Sequence, residues 1–103
     1  MDDKELLELA AKAADIKLYI GDDLADVFFT YDNLMWNPLT DDGDALRLAV
    51  KLRLNVDLDC FEAVVVDVGH EYIIEKLTDA VDPYAATRRA IVRAAAEIGR
   101  SMK

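Results

Sequence analysis

The residues best suited to chemistry gather in Asp41-Asp42-Gly43-Asp44, just beyond Trp36, the sole tryptophan. Carboxylate oxygens at close spacing are the donors that Ca²⁺ and Mg²⁺ prefer. A calcium loop of the EF-hand kind spreads its ligands over twelve residues and ends in a glutamate. The twelfth residue from Asp41 is Leu52, so that spacing fails. A looser cation site would have to recruit Asp22, Asp23 or Asp26. The competing reading is structural. Acids at a helix start accept hydrogen bonds from free backbone amides and lie where the helix dipole favours negative charge.

The remaining reactive groups are isolated. His70 is the single histidine and follows Gly69 in what reads as an exposed turn. A histidine metal site would therefore need carboxylates or Cys60 to complete it. Cys60 is the lone cysteine, lacks a CxxC neighbour and falls on the apolar side of its expected strand, which suits a buried, inert thiol. Ser101 is the sole serine and sits near a chain end, a poor setting for a catalytic triad. Gly21, Gly43, Gly69 and Gly99 are scattered singly, so no phosphate-cradling loop is present. Trp36, Phe28, Phe29, Tyr31 and Tyr84 are candidates to line a pocket, with core packing as the default role of such side chains. Neither catalytic residues nor a bound cofactor or metal is expected.

The elements that must position these groups can be read from spacing. Asp2 or Asp3 caps a first helix to about Ala14, with Leu6, Leu9, Ala10 and Ala13 on its apolar side. Ile16–Ile20 alternates as a strand, and Val27–Tyr31 reads as a second. Leu24-Ala25-Asp26 reads as the connection between them or as one helical turn, and Asp32-Asn33 as a turn. Asn37-Pro38 holds the chain extended before a helix whose N-cap is placed at Asp41. Along that helix Ala45, Leu48, Ala49 and Leu52 form the apolar stripe, with Leu46 and Val50 widening it; Arg47 and Lys51 face water. Asn55–Asp59, Glu62–Val68 and Glu71–Leu77 read as three strands in a meander, turning at Gly69-His70, with the valine-rich strand central. Asp82-Pro83 opens the last helix, with Tyr84, Thr87, Ile91, Ala94, Ala95, Ile98 and Met102 on one face and Arg89, Arg93 and Arg100 opposite. The expected fold is a single α+β domain over residues 1–103, in the order αββαβββα, with a mainly antiparallel sheet of about five strands and three helices packed on it.

Two segments, WNPLTDDGDALRLAVKL from Trp36 and DPYAATRRAIVRAAAEIGRSM from Asp82, resemble the phage ABA sandwich domain, a family of small phage and prophage proteins. They cover roughly a third of the chain. The resemblance implies packed α and β layers, a phage or prophage origin and an accessory role, and it brings no catalytic residue with it.

Charge narrows the function further. The 103 residues carry a net charge of −9, distributed as −9 over residues 1–46, −4 over 47–82 and +4 over 83–103. An acidic chain of this kind is a poor general polyanion binder, which argues against nucleic acid as a partner. The acidic start Met-Asp-Asp-Lys-Glu does not read as a signal peptide, no run approaches the ~18 apolar residues of a membrane span, and a lone cysteine suits a reducing cytoplasm. The leading expectation is a non-enzymatic cytoplasmic accessory protein of a bacterial host that binds a protein, host partners and a homodimer both included. Its interaction face would draw on Trp36, Asp41, Asp42, Asp44, Arg89 and Arg93. One alternative is a small-ligand or metal-dependent enzyme using the Asp41–Asp44 cluster. Another is nucleic-acid binding through the basic last helix.

Overall fold

An aspartate starts each of the three helices in the computed structural model. The Asp2 side chain accepts the Glu5 amide at 2.8 Å, Asp41 accepts the Asp44 amide at 2.8 Å, and Asp82 accepts the Tyr84 amide at 2.9 Å. Each bond satisfies a donor that the first helical turn leaves free. The chain runs α1 (Asp3–Ala13), β1 (Tyr19–Gly21), β2 (Leu24–Phe29), β3 (Met35–Trp36), α2 (Asp42–Leu52), β4 (Asn55–Asp57), β5 (Ala63–Val68), β6 (Glu71–Lys76) and α3 (Pro83–Ser101). The structure describes residues 2–21, 24–30, 34–59, 63–69, 71–78 and 81–102. The Asp32-Asn33 turn, Cys60 and His70 lie outside them.

Among the described residues the fold is α+β with three helices, and the strand pairing is antiparallel throughout. The expected sheet of about five strands is corrected by the topology. The described strands form two separate three-stranded sheets, β1-β2-β3 and β4-β5-β6. The order is therefore αβββαβββα, because Met35–Trp36 pairs with Phe28 and Phe29 and adds a strand. Two residues are too short for an alternation signal to register. Residues 24–26, read as a connection or a helical turn, instead belong to β2, which therefore starts three residues earlier than expected. The C-terminal sheet is the expected meander with β5 at its centre.

α3 packs against α1, α2, β5 and β6. Ala86, Ala90, Val92, Ala94, Ala95 and Ala96 are all buried along it, well over half its circumference. Small side chains permit this crowding. At Gly99 the lack of a side chain is required, since a Cβ there would overlap the Leu9 carbonyl of α1. Tyr84 and Met102, expected on the packed face, are exposed because they lie at the two ends of the helix, beyond its neighbours. Val64, Val66 and Ile73 meet α3 and its neighbours from the C-terminal sheet, leaving Tyr72 and Ile74 exposed on the sheet's other face.

α1 and α2 end alike. Asp15 and Arg53 take left-handed φ values of 56° and 54°, and the next residue returns its amide to the helix: Ile16 to Ala11 O at 2.9 Å, Leu54 to Ala49 O at 3.0 Å. Glycine usually occupies that position. Here Ile16 and Leu54 tuck against the core immediately afterwards.

Candidate functional site

The acidic cluster is dispersed by the helix it starts. Asp41, Asp42 and Asp44 occupy the N-cap, first and third helical positions, and an advance of ~100° per residue sends neighbouring carboxylates to different sides. Asp44 Oδ2 accepts the part-buried Asn37 amide at 3.0 Å, and Oδ1 accepts Arg47 Nη2 at 2.7 Å. Asn37 in turn builds the preceding turn, its Oδ1 accepting the Leu39 amide at 3.0 Å and its carbonyl accepting the Asp41 amide at 2.9 Å. Asp42 turns the other way, to Arg88 Nη1 at 2.6 Å, while Arg88 Nε donates to Leu39 O at 2.8 Å. Among the described residues, no three His, Cys, Asp or Glu side chains converge as a metal site would require. Asp22 and Asp23, candidates to complete such a site, lie outside the described residues.

Trp36 is 6% exposed and pairs across the strands with buried Phe28, so these two rings belong to the core. Tyr84 lies elsewhere, and Tyr31 is outside the described residues. One edge of Trp36 does reach a cavity of about 690 Å³ that Asp41, Asp44, Arg47 and Lys51 also line. Ser101 closes the last helical turn, its Oγ donating to Glu97 O at 3.1 Å.

The arginines of α3 are tied to carboxylates, those of Arg88, Arg89 and Arg93 on other elements and that of Arg100 within α3. Arg93 donates to Glu75 Oε1 at 2.8 Å and to Ile74 O at 3.2 Å; Arg89 reaches Asp3 at 3.2 Å and Glu75 at 3.6 Å; Arg100 pairs with Glu97 at 2.8 Å. These pairs turn a basic helix into a neutralised face. The six residues assigned to one interaction face thus divide among three places. Trp36, Asp41 and Asp44 share the cavity, Asp42 lies across α2 from it, and Arg89 and Arg93 border β6.

A different surface collects groups without partners. Between the start of α2, the start of α3 and the C-terminal sheet runs a groove of about 550 Å³. Ala45, Val64, Leu77 and Ile91 line it together with Leu46, Leu58 and Tyr84, which are 64%, 65% and 67% exposed. The Asp42–Arg88 pair forms part of its wall. Leu46 and Val50, expected to widen the buried stripe, are both exposed. The buried arc of α2 centres on Ala45, Leu48 and Ala49, and at ~100° per residue Leu46 and Val50 fall outside it. A stricter count of that arc is the sequence signal that would have exposed Leu46. Leu58 and Tyr84 carry no such signal, because both flank element ends.

Comparison with protein-family models, with curated proteins and with solved structures finds no match for this chain. No helix of the described residues is long and apolar enough to cross a membrane.

Proposed function

We propose that this chain is a non-enzymatic accessory protein of phage or prophage origin, working in the cytoplasm of a bacterial host by binding protein. The observation that carries the reading is the groove beside α2, where leucine and tyrosine side chains stand in water around an apolar floor. Contiguous exposed apolar surface rimmed by polar residues marks interaction sites. Burying it is favourable at roughly 25 cal/mol per Å². Aromatic anchors such as Tyr84 dominate interfaces of this kind. The phage origin and accessory role rest on the resemblance of the Trp36–Leu52 and Asp82–Met102 segments to the phage ABA sandwich domain.

The test is capture by immobilised full-length chain from a bacterial lysate. A specific protein should be retained by the wild type and by Asp41→Ala, and lost with Tyr84→Ala and Leu46→Glu. Retention indifferent to both groove substitutions would defeat the reading.

The enzyme alternative has a cavity to draw on, the one shared by Trp36, Asp41 and Asp44. It requires those carboxylates to leave the Asp44 amide, the Asn37 amide and Arg47. Stabilisation by a divalent cation or a nucleotide, abolished in Asp44→Ala, would favour it.

A further inference from the structure

The last strand of the C-terminal sheet is composed to pair. β6 reads Glu-Tyr-Ile-Ile-Glu-Lys, with the aromatic and β-branched side chains that favour strands at its centre. It ends the sheet, with β5 on one side and no strand on the other among the described residues. Val68 and Glu71 face each other across a two-residue connection, where Gly69 takes a φ of +66°. A turn of that length closes with a hydrogen bond between the residues that flank it. Bonded and non-bonded pairs then alternate along the ladder. Glu71, Ile73 and Glu75 thus turn their backbone groups to β5, while Tyr72, Ile74 and Lys76 turn theirs to the open edge. The side chains of Tyr72 and Ile74 are exposed as well. An open edge carrying apolar side chains is a template for strand addition.

The strand such an edge must refuse is β6 of a second copy, identical and equally open. Two copies related by a two-fold axis pair antiparallel, and their bonded pairs join edge-facing residues. Centring on Ile74 sets Ile74 against Ile74 and Tyr72 against Lys76, with no like charges opposed. Centring on Ile73 opposes Glu71 to Glu75, and centring on Glu75 opposes that carboxylate to itself, arrangements that destabilise a sheet. Centres farther out leave part of the strand unpaired. The favoured register therefore needs the Ile74 carbonyl of each copy, and that carbonyl is taken. Arg93 Nη1 donates to it from α3 at 3.2 Å, and Glu75 Oε1 holds the same nitrogen at 2.8 Å. Arg89 Nε approaches that carboxylate at 3.6 Å. A second strand would have to displace the guanidinium or bury its charge. We infer that Arg93 is an edge guard, which blocks β6 from adding a second copy of this chain as a further strand. The guard works whether or not the groove binds a partner.

Hydrogen exchange at the edge amides of the full-length chain, followed by NMR over a range of protein concentrations, is the test. In the wild type the Tyr72, Ile74 and Lys76 amides should exchange as unpaired groups, at rates independent of concentration. Arg93→Met keeps the reach of the side chain without its donors, and Arg93→Ala removes both. Each should retain the helical circular dichroism and slow exchange at those amides by about tenfold or more at millimolar concentration, with the protection lost on dilution. Adding Tyr72→Lys to Arg93→Met should abolish the protection, because it sets a lysine opposite Lys76 at both ends of the paired strands. Adding Lys76→Glu to that double variant should bring the protection back. Edge amides already protected in concentrated wild type overturn the inference. So does an Arg93→Met chain whose edge amides exchange as before. An effect confined to Arg93→Ala overturns it too, since packing rather than capping would then be what was lost. Protection in Arg93→Met that survives Tyr72→Lys does the same, because the copies would not be meeting through β6 about Ile74.

Discussion

The first turn of α2 separates two hollows of opposite character. On one side lies the Trp36 cavity, lined by charged groups: Asp41, Asp44, Arg47 and Lys51. On the other lies the groove, lined mostly by aliphatic side chains and Tyr84. The chemically capable side is the more fully satisfied. Both oxygens of Asp44 are engaged, and Asp41 holds a helix amide. Apart from the bonded polar groups in its wall, Asp42, Thr87 and Arg88, the groove is apolar area still to bury. Residue types able to bind ions or move protons are thus held by the fold, while the less reactive side chains remain available. Availability, rather than intrinsic reactivity, separates a site from a structural feature.

Substitutions on the two sides should separate just as clearly. Trp36→Ala removes a buried ring paired with Phe28 and should cost about 3–5 kcal/mol in urea unfolding. A stability within error of wild type would make Trp36 a pocket side chain and return the cavity to contention. Asp44→Ala leaves the part-buried Asn37 amide without its acceptor and should cost about 1–3 kcal/mol. Asp41→Ala removes a single capping bond, worth about 1 kcal/mol. Millimolar Ca²⁺ or Mg²⁺ should leave the wild-type Tm unchanged in thermal-shift assays, and a rise abolished by Asp44→Ala would break the comparison. The smallest effects belong to the groove. Leu46→Glu and Tyr84→Ala should alter the monomer's unfolding free energy by no more than about 0.5 kcal/mol, because both side chains already stand in water. A large loss at either position would place the groove inside the core.

The arginines of α3 extend the contrast. Their number and spacing make α3 a basic helix on an acidic body, whose arginines are expected to pair with nearby carboxylates, and Asp42, Asp3 and Glu75 come from three other elements to meet them. Charge on one helix is legible in its residues. Its neutralisation depends on which elements the topology brings alongside, separated from α3 by up to 86 positions in the chain.

Sequence alone determined the local chemistry. Aspartates mark all three helix starts, Asp41 is the N-cap of α2, Pro83 occupies the first turn of α3, and Gly69 takes a φ of +66° at the turn after β5. These features depend on backbone donors and dihedral preferences within a few residues of each other, so short-range spacing carries them. Tertiary structure alone decided that the strands part into two sheets, that a two-residue strand sets Trp36 against Phe28, and that Leu46, Leu58 and Tyr84 meet around one groove. Such outcomes hang on contacts between distant segments, where the gain from burial depends on what else arrives, and no local pattern records that arrival.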